Sequence, residues 1–271
     1  MSIKTSKTVS FDGGEDDSLD MFFNDRLPSK LIFSQLSGCQ CTGLVCNPDQ
    51  CDCLKRCNGS VFDGSGRLSC LLNYKDSRQL QPVFECNTCC ACPPTCSNRL
   101  VQHLIGRFPA LKIVSTGNFD KGLGVICQKD LSPGQFVCVY IGEYIPPVDA
   151  DRVSRDQILS LGHTYVLCVR EFAGQSRLVS ETVVDGAAEA FRPHLPISSY
   201  INHSCQPNMT VVPVRVDSLL PFLAFFANQK ITAGVELTYD YGEYSASPDC
   251  LSKKPCQCGE LMCRGFLSCA E

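Results

Sequence analysis

The chain of 271 residues has no tryptophan, so no site in it can use an indole face. Long apolar runs are missing too. The stretch Leu219-Leu220-Pro221-Phe222-Leu223-Ala224-Phe225-Phe226-Ala227 is short and interrupted by proline, far from the roughly 18 residues that span a bilayer. No membrane span and no membrane partner are expected. The N-terminal Met1-Ser2-Ile3-Lys4-Thr5-Ser6-Lys7 lacks an apolar core, so no secretory signal is expected either. Basicity is also absent. The net charge is −4, whereas a general nucleic-acid binder is usually basic. Sequence-specific nucleic-acid binding is therefore not expected, and a basic peptide is a better-suited partner.

What is abundant is cysteine, with 21 residues. Without secretion, disulfides are a poor explanation for that density, and metal is the better one. Apolar residues make up 44% of the chain, enough for one large domain or two small ones. Residues 1–33 are different. The acidic run Asp12-Gly13-Gly14-Glu15-Asp16-Asp17-Ser18-Leu19-Asp20 has no periodicity, which predicts a disordered, solvated tail.

The first cysteine block is Cys39-x-Cys41-x4-Cys46-x4-Cys51-x-Cys53, and the second is Cys86-x3-Cys90-x-Cys92-x3-Cys96. Thiolates this close in sequence can converge on one tetrahedral ion. Nine sulfurs supply the twelve bonds of three tetrahedral zincs if three of them bridge two ions. Structural zinc binds with about 10–16 kcal/mol, which explains how a loop-rich segment of this size can fold.

These two blocks resemble the pre-SET motif of the Suv39-like SET-domain lysine methyltransferases. The runs Pro82-Val83-Phe84-Glu85-Cys86-Asn87 and Pro213-Val214-Arg215-Val216-Asp217-Ser218 carry the likeness especially fully. The resemblance implies a triangular three-zinc cluster with Cys39, Cys46 and Cys86 as bridges. The terminal pairs it implies are Cys41 with Cys51, Cys53 with Cys90, and Cys92 with Cys96. Cys57, Cys70 and Cys89 fall outside that pattern and are expected to be unliganded.

From about residue 105 the chain shows strand-like runs at 111–114, 124–127, 136–141 and 165–169, rich in β-branched and aromatic residues. Cys127, Cys138 and Cys168 fall in these runs and are expected to be small buried hydrophobes. Asp149 to Leu161 has helical spacing, with Val153, Ile158 and Leu161 predicted on the apolar side. The expected architecture is mostly β with short helices. The resemblance makes it a SET fold, small curved sheets with a C-terminal pseudoknot. The expected division is a tail over 1–33, a pre-SET segment over 34–104, a SET domain over 105–245 and a post-SET motif over 252–271.

Three further motifs match the family. Lys121-Gly122-Leu123-Gly124 looks like the first contact with S-adenosylmethionine, where glycines admit the backbone to the cofactor. Leu123 stands where Trp is usual. By resemblance, His163, Tyr165, Asn202 and His203 are the remaining cofactor contacts. Ser199 stands where the family usually has Arg, which bears on cofactor affinity. Tyr140, Tyr239 and Tyr241 match the reaction tyrosines. Tyr241 would face the transferring methyl, Tyr140 would line the lysine channel, and Tyr239 would tune the number of methyls. Finally, Cys256-x-Cys258-x4-Cys263 resembles the post-SET motif. Three thiolates leave a tetrahedral zinc one ligand short, and the family's fourth ligand corresponds to Cys205. Phe266 and Leu267 could then cover the adenine.

The resemblance therefore implies a protein-lysine methyltransferase using S-adenosylmethionine, with four structural zincs, three in the pre-SET segment and one in the post-SET motif. It implies a histone H3 tail or another basic lysine-containing peptide as substrate, mainly mono- and dimethylated. It also implies chromatin as partner, with the nucleus and chromosome as location. The alternative is a catalytically degenerate SET protein that binds chromatin or other proteins. A zinc-dependent DNA binder is disfavoured by the acidic balance.

Overall fold

A computed structural model describes residues 34–73, 82–107, 110–173, 177–242 and 254–267. The expected tail, Cys250 and Cys269 lie outside the described residues. The chain is mostly β. A four-stranded sheet takes the order β1 (Val83–Phe84), β9 (Met209–Arg215), β10 (Phe222–Ala227), β4 (Phe136–Val139). A second runs β2 (Leu111–Ser115), β3 (Leu123–Cys127), β11 (Glu236–Tyr239), β8 (Asn202–His203). A third holds β5 (Glu143–Ile145), β7 (Arg177–Asp185) and β6 (Val166–Ala173). The α-helices among the described residues are α1 (Asp52–Arg56), α2 (Leu100–Leu104) and α3 (Ala150–Leu161).

The apolar run that is too short for a membrane becomes β10. All six of its residues are buried, as a strand covered on both faces requires. Phe225 and Phe226 are at its centre, and Phe136 meets Phe226 edge-on with ring centroids 5.6 Å apart. Pro213 is tolerated inside β9 because pairing with β1 begins only at Val214.

Polar ties join the cysteine-rich segment to the sheets. Thr88 gives both its backbone N–H and its hydroxyl to Asp217 Oδ1. Glu85 is fully buried, and its carboxylate accepts from Val101 N at 2.6 Å and Gln102 N at 3.1 Å at the start of α2. Arg215 is held by Glu171 in a two-point ion pair, with Nη1 2.9 Å from Oε1 and Nη2 2.6 Å from Oε2. Its guanidinium also lies 5.4 Å from the Phe84 ring centre. One cation thus connects β9, β6 and β1.

Two expectations from the sequence are corrected. Cys168 is exposed, with its Sγ 3.3 Å from Glu181 Oε1, whereas Cys127 and Cys138 are buried as expected. The two-residue period of β6 turns Leu167 inward and therefore Cys168 outward. In α3 the fully buried residues are Ser154 and Gln157. Val153 and Ile158 are half-buried and Leu161 is exposed. The helix seats on polar groups at the end of β7, so its inner face is set by hydrogen bonding.

The Glu171–Arg215 pair is far more enclosed than Arg170–Glu181, whose arginine is 59% exposed. Glu171→Ala should therefore cost about 3 kcal/mol or more, because it strands a buried cation. Arg170→Ala should cost less than about 1 kcal/mol. Denaturant unfolding of zinc-replete protein measures both, and similar losses would contradict the assignment.

Candidate active site and metal centres

The site is built where β8 lies parallel to β11, pairing Asn202 with Thr238 and His203 with Tyr239. On its other side β11 pairs antiparallel with β3. The two-residue β8 ladder is reinforced from outside. Asn208 Oδ1 accepts from Thr238 N at 2.9 Å, and Asn208 Nδ2 donates to Glu236 O at 2.8 Å. This carboxamide completes the edge as a further strand residue would. Ser204 N donates to Tyr239 O at 3.1 Å.

That register gathers an aromatic enclosure. Tyr239 and Tyr241 have centroids 4.7 Å apart, Phe225 and Tyr239 4.9 Å, and His203 and Tyr241 5.3 Å. His163 stacks on Tyr241 at 6.0 Å and meets Tyr165 edge-on at 5.3 Å. Tyr140 reaches the same group through Phe225, at 6.3 Å. The Tyr140 hydroxyl donates to Tyr165 O at 2.7 Å, and the Tyr241 hydroxyl donates to Ile201 O at 2.9 Å. Burial pushes the phenols of Tyr140, Tyr239 and Tyr241 above their usual range, so they stay neutral. Each hydroxyl that gives its one proton to a carbonyl keeps its lone pairs free to accept.

His203 is buried, and burial holds its imidazole below the usual range. Its Nδ1 accepts from Tyr241 N at 3.2 Å, which places the proton of the neutral ring on Nε2, 3.2 Å from Cys205 Sγ. One side chain thus orients both Tyr241 and the Cys205 sulfur.

The glycine-rich turn faces this enclosure. Gly122 has φ +75°, and a Cβ there would meet nothing within 4 Å. A Cβ at Gly124 would come within 2.6 Å of Glu236 Oε1 and 3.1 Å of Asn202 Nδ2. Glu236 was not singled out from the sequence, yet it organises the turn. It accepts from Lys121 Nζ at 2.7 Å and from Asn202 Nδ2 at 2.9 Å, while Asn202 also donates to Leu123 O at 2.8 Å. Leu123 is 49% exposed and gives the turn an open apolar surface. Ser199 is buried, and its hydroxyl donates to Gly186 O at 2.9 Å.

The cysteines assemble as the spacing suggested. Three groups have all their sulfurs within 4.8 Å: Cys39, Cys41, Cys46 and Cys51; Cys39, Cys53, Cys86 and Cys90; and Cys39, Cys46, Cys86 and Cys92. Cys39 occurs in all three, and Cys46 and Cys86 in two each, as bridging sulfurs would. Cys96 joins through Cys46, with the sulfurs 3.5 Å apart. Cys57 instead accepts from Phe84 N at 3.0 Å, and Cys89 is exposed beside Gln35. Cys70 is also exposed. A fourth group joins Cys205 to Cys256, Cys258 and Cys263. Sulfurs bound to one zinc at about 2.3 Å in a tetrahedron stand about 3.8 Å apart. The observed separations are 3.7 Å for Cys46–Cys86, 3.6 Å for Cys53–Cys90 and 3.8 Å for Cys205–Cys256. All-thiolate sets at that spacing fit zinc.

The fourth group ties residues 254–267 to the enclosure. Arg264, next to Cys263, has no short-range signature of its own and gives its backbone N–H to Cys205 Sγ at 3.3 Å. Its guanidinium bonds Asp240 Oδ1 and Gly242 O, directly beyond Tyr239. Asn118 in the glycine-rich turn donates to Gln257 at 3.4 Å.

Comparison with known proteins agrees with this geometry. A family model described as SET domain matches residues 122–242, and one described as Pre-SET motif matches residues 6–99. Histone-lysine N-methyltransferase SETMAR of Bos taurus is 34% identical over 255 residues, covering 90% of this chain and 77% of the relative. The crystal structure of the methyltransferase domain of human SETMAR aligns with a TM-score of 0.67 at 31% identity, covering 87% of this chain and 82% of that one. A crystal structure of Arabidopsis thaliana SUVH6 in complex with SAM aligns with a TM-score of 0.67 at 25% identity, covering 91% of this chain and 48% of that one.

The Cys205 group predicts a separable metal. Cys205→Ser should lower bound zinc by one equivalent per chain and leave the zinc held by residues 39–96 in place. Metal analysis of the purified variant measures this, and an unchanged zinc content would remove Cys205 from the ligand set.

Proposed function

The chain belongs to the SET-domain histone-lysine N-methyltransferases, and we propose that it transfers methyl groups from S-adenosylmethionine to a lysine of the histone H3 tail, mainly to the mono- and dimethyl stages. The observation that carries this reading is the enclosure of Tyr140, Tyr239 and Tyr241, two of whose hydroxyls are committed to backbone carbonyls.

When bound, S-adenosylmethionine supplies an electrophilic methyl group on a sulfonium sulfur. Gly122, Gly124, Leu123, His163, Tyr165, Asn202 and His203 would hold it, with Lys121 taking part through its backbone because Glu236 engages its ammonium. The half-exposed apolar Leu123 and the open side of Gly122 fit such a molecule. By the same reading, residues 34–104 hold three zincs and the Cys205 group holds a fourth.

The substrate amine has a pKa of about 10.4 and is inert as a nucleophile while protonated. The buried tyrosine faces attract the ammonium on entry. The same walls exclude water and favour the neutral amine. Tyr140 and Tyr241 present oxygen lone pairs, which can accept from the amine and fix its line of attack. The Tyr239 hydroxyl hydrogen-bonds none of the described residues. It is free to hold a water or the amine, and its bulk limits how many methyls fit. The peptide would bind as an extended strand added to a sheet edge, and the location would be the nucleus and chromosome.

Labelled S-adenosylmethionine with core histones tests the reading. Label is expected on H3, lowered at least a hundredfold by Tyr241→Phe and by His203→Ala. Failure of zinc-replete protein to bind the cofactor in calorimetry would instead identify a degenerate binding module, and binding without transfer would overturn H3 as the substrate. Tyr239→Phe should shift the product toward trimethyl-lysine in mass spectrometry. An unchanged methyl number would remove Tyr239 from product control.

A further inference from the structure

We propose that Gln157 is a positioning residue for the reaction: its buried carboxamide holds the backbone N–H of Tyr165 and so fixes that residue, whose carbonyl holds the hydroxyl of Tyr140. The inference rests on the proposed role of Tyr140 in the lysine channel.

Gln157 belongs to α3 but is 4% exposed, on a helix flank where an apolar residue would be expected. Its Oε1 accepts from Tyr165 N at 2.7 Å, and its Nε2 donates to Asp185 Oδ1 at 2.6 Å. The amide orientation follows from its partners. A backbone N–H can only donate, and an ionised carboxylate can only accept. On the far side of the same residue, Tyr165 O accepts from the Tyr140 hydroxyl at 2.7 Å and from Gly186 N at 2.9 Å. Asp185 is fixed in turn by Ala187 N at 2.8 Å.

The chain of bonds closes without slack. A Cβ at Gly186 would lie 2.6 Å from the Tyr140 hydroxyl and 2.7 Å from Ser199 Oγ. The backbone of Tyr165 is therefore clamped on both sides of its Cα, by Gln157 at the N–H of the peptide before it and by Tyr140 and Gly186 at the carbonyl of the peptide after it. Tyr165 is also the residue whose ring meets His163 beside Tyr241. Only a carboxamide of this length satisfies both partners. A thioether takes the acceptor from the Tyr165 N–H and leaves Asp185 Oδ1 with only the Ala187 N–H, and a carboxylate repels Asp185.

The pH behaviour of the carboxylate variant separates positioning from packing. In Gln157→Glu the introduced carboxyl faces Asp185, whose other charged neighbours are Glu143 and Arg192. Two carboxyls in hydrogen-bond contact retain one proton to a raised pH. With that proton on the introduced carboxyl, its hydroxyl again donates to Asp185 and its other oxygen accepts from the Tyr165 N–H. With it lost, the pair repels. Relative to the parent protein, the activity of Gln157→Glu should therefore rise as pH falls.

The test uses the zinc-replete full chain, with Gln157→Met, Gln157→Glu and, as a packing control on the same buried flank, Ser154→Ala. Gln157→Met should lower kcat about tenfold or more, with zinc content retained, and Ser154→Ala should stay within twofold of the parent. Gln157→Glu should recover at acidic pH and Gln157→Met should not. A Gln157→Met variant with kcat within twofold of the parent, or parallel pH profiles for the two variants, overturns the proposal. Amide hydrogen exchange at Tyr165 reads the clamp without turnover. Its protection should fall at least tenfold in Gln157→Met, and unchanged protection overturns the proposal even if H3 is the wrong substrate. An inactive parent that nonetheless shows the exchange effect refutes the substrate reading alone.

Discussion

The parallel pairing of Asn202–His203 with Thr238–Tyr239 is the constraint on which the catalytic end depends. It places His203 against Tyr241, sets Asn202 against Glu236, and brings Cys205 within reach of the C-terminal cysteines. It is also a weak element by itself. Two residue pairs supply few ladder bonds, each contributing about 0.5–1.5 kcal/mol net. Parallel neighbours need a long connection, and here the β9–β10 hairpin lies between the two strands. The closure entropy of that loop works against the pairing. A structural zinc on the Cys205 group, at about 10–16 kcal/mol, would outweigh both effects. The Cys205 group therefore does more than finish a tail: a sulfur two residues beyond His203 joins the crossing to the C-terminal cysteines.

The same economy governs the polar groups. Glu236 is one carboxylate with two jobs, neutralising Lys121 and orienting Asn202. His203 orients Tyr241 through one nitrogen and meets Cys205 through the other. Arg264 ties the metal loop to Asp240 and to the backbone of Gly242. The glycine-rich turn, Tyr241 and the C-terminal cysteine loop are linked through β8 and β11 by these side chains. A change in one is felt in the others, so additivity is not expected among these residues.

The parts legible in the sequence were those with short-range signatures. Cysteine spacing pointed to the clusters within residues 39–53, 86–96 and 256–263, while the grouping across those blocks and with Cys205 was implied only by the family resemblance. The alternating Tyr239 and Tyr241, and the β-branched runs of β2, β3 and β4, were visible for the same reason. What stayed hidden depended on phase or on distant partners. A two-residue period does not say which parity faces inward, and Cys168 fell on the wrong one. β8 is too short to have a pattern. The inner face of α3 looked apolar by spacing, but it is decided by Asp185 and Tyr165, residues 28 and 8 positions away. Glu236, the first residue of β11, acquires its role only when the turn bearing Lys121 is brought beside it.

Ser199 is the departure that most invites a degenerate reading, and its surroundings weigh against one. Removing a large cationic side chain from an enclosed site leaves partners unsatisfied unless the neighbourhood has adapted, and each orphaned polar group costs about 1–3 kcal/mol. No such debt remains at Ser199 itself. The Ser199 hydroxyl is bonded to Gly186 O, and Gly186 is a glycine where any Cβ would collide with that hydroxyl and with Tyr140. Among the described residues the buried side-chain atoms without a partner are Asn98 Oδ1 and Arg99 Nε, both at the end of the cysteine-rich segment. A decaying site accumulates unpaired groups and voids. Here serine, glycine and tyrosine fit one another, as selection for a changed but working arrangement would produce.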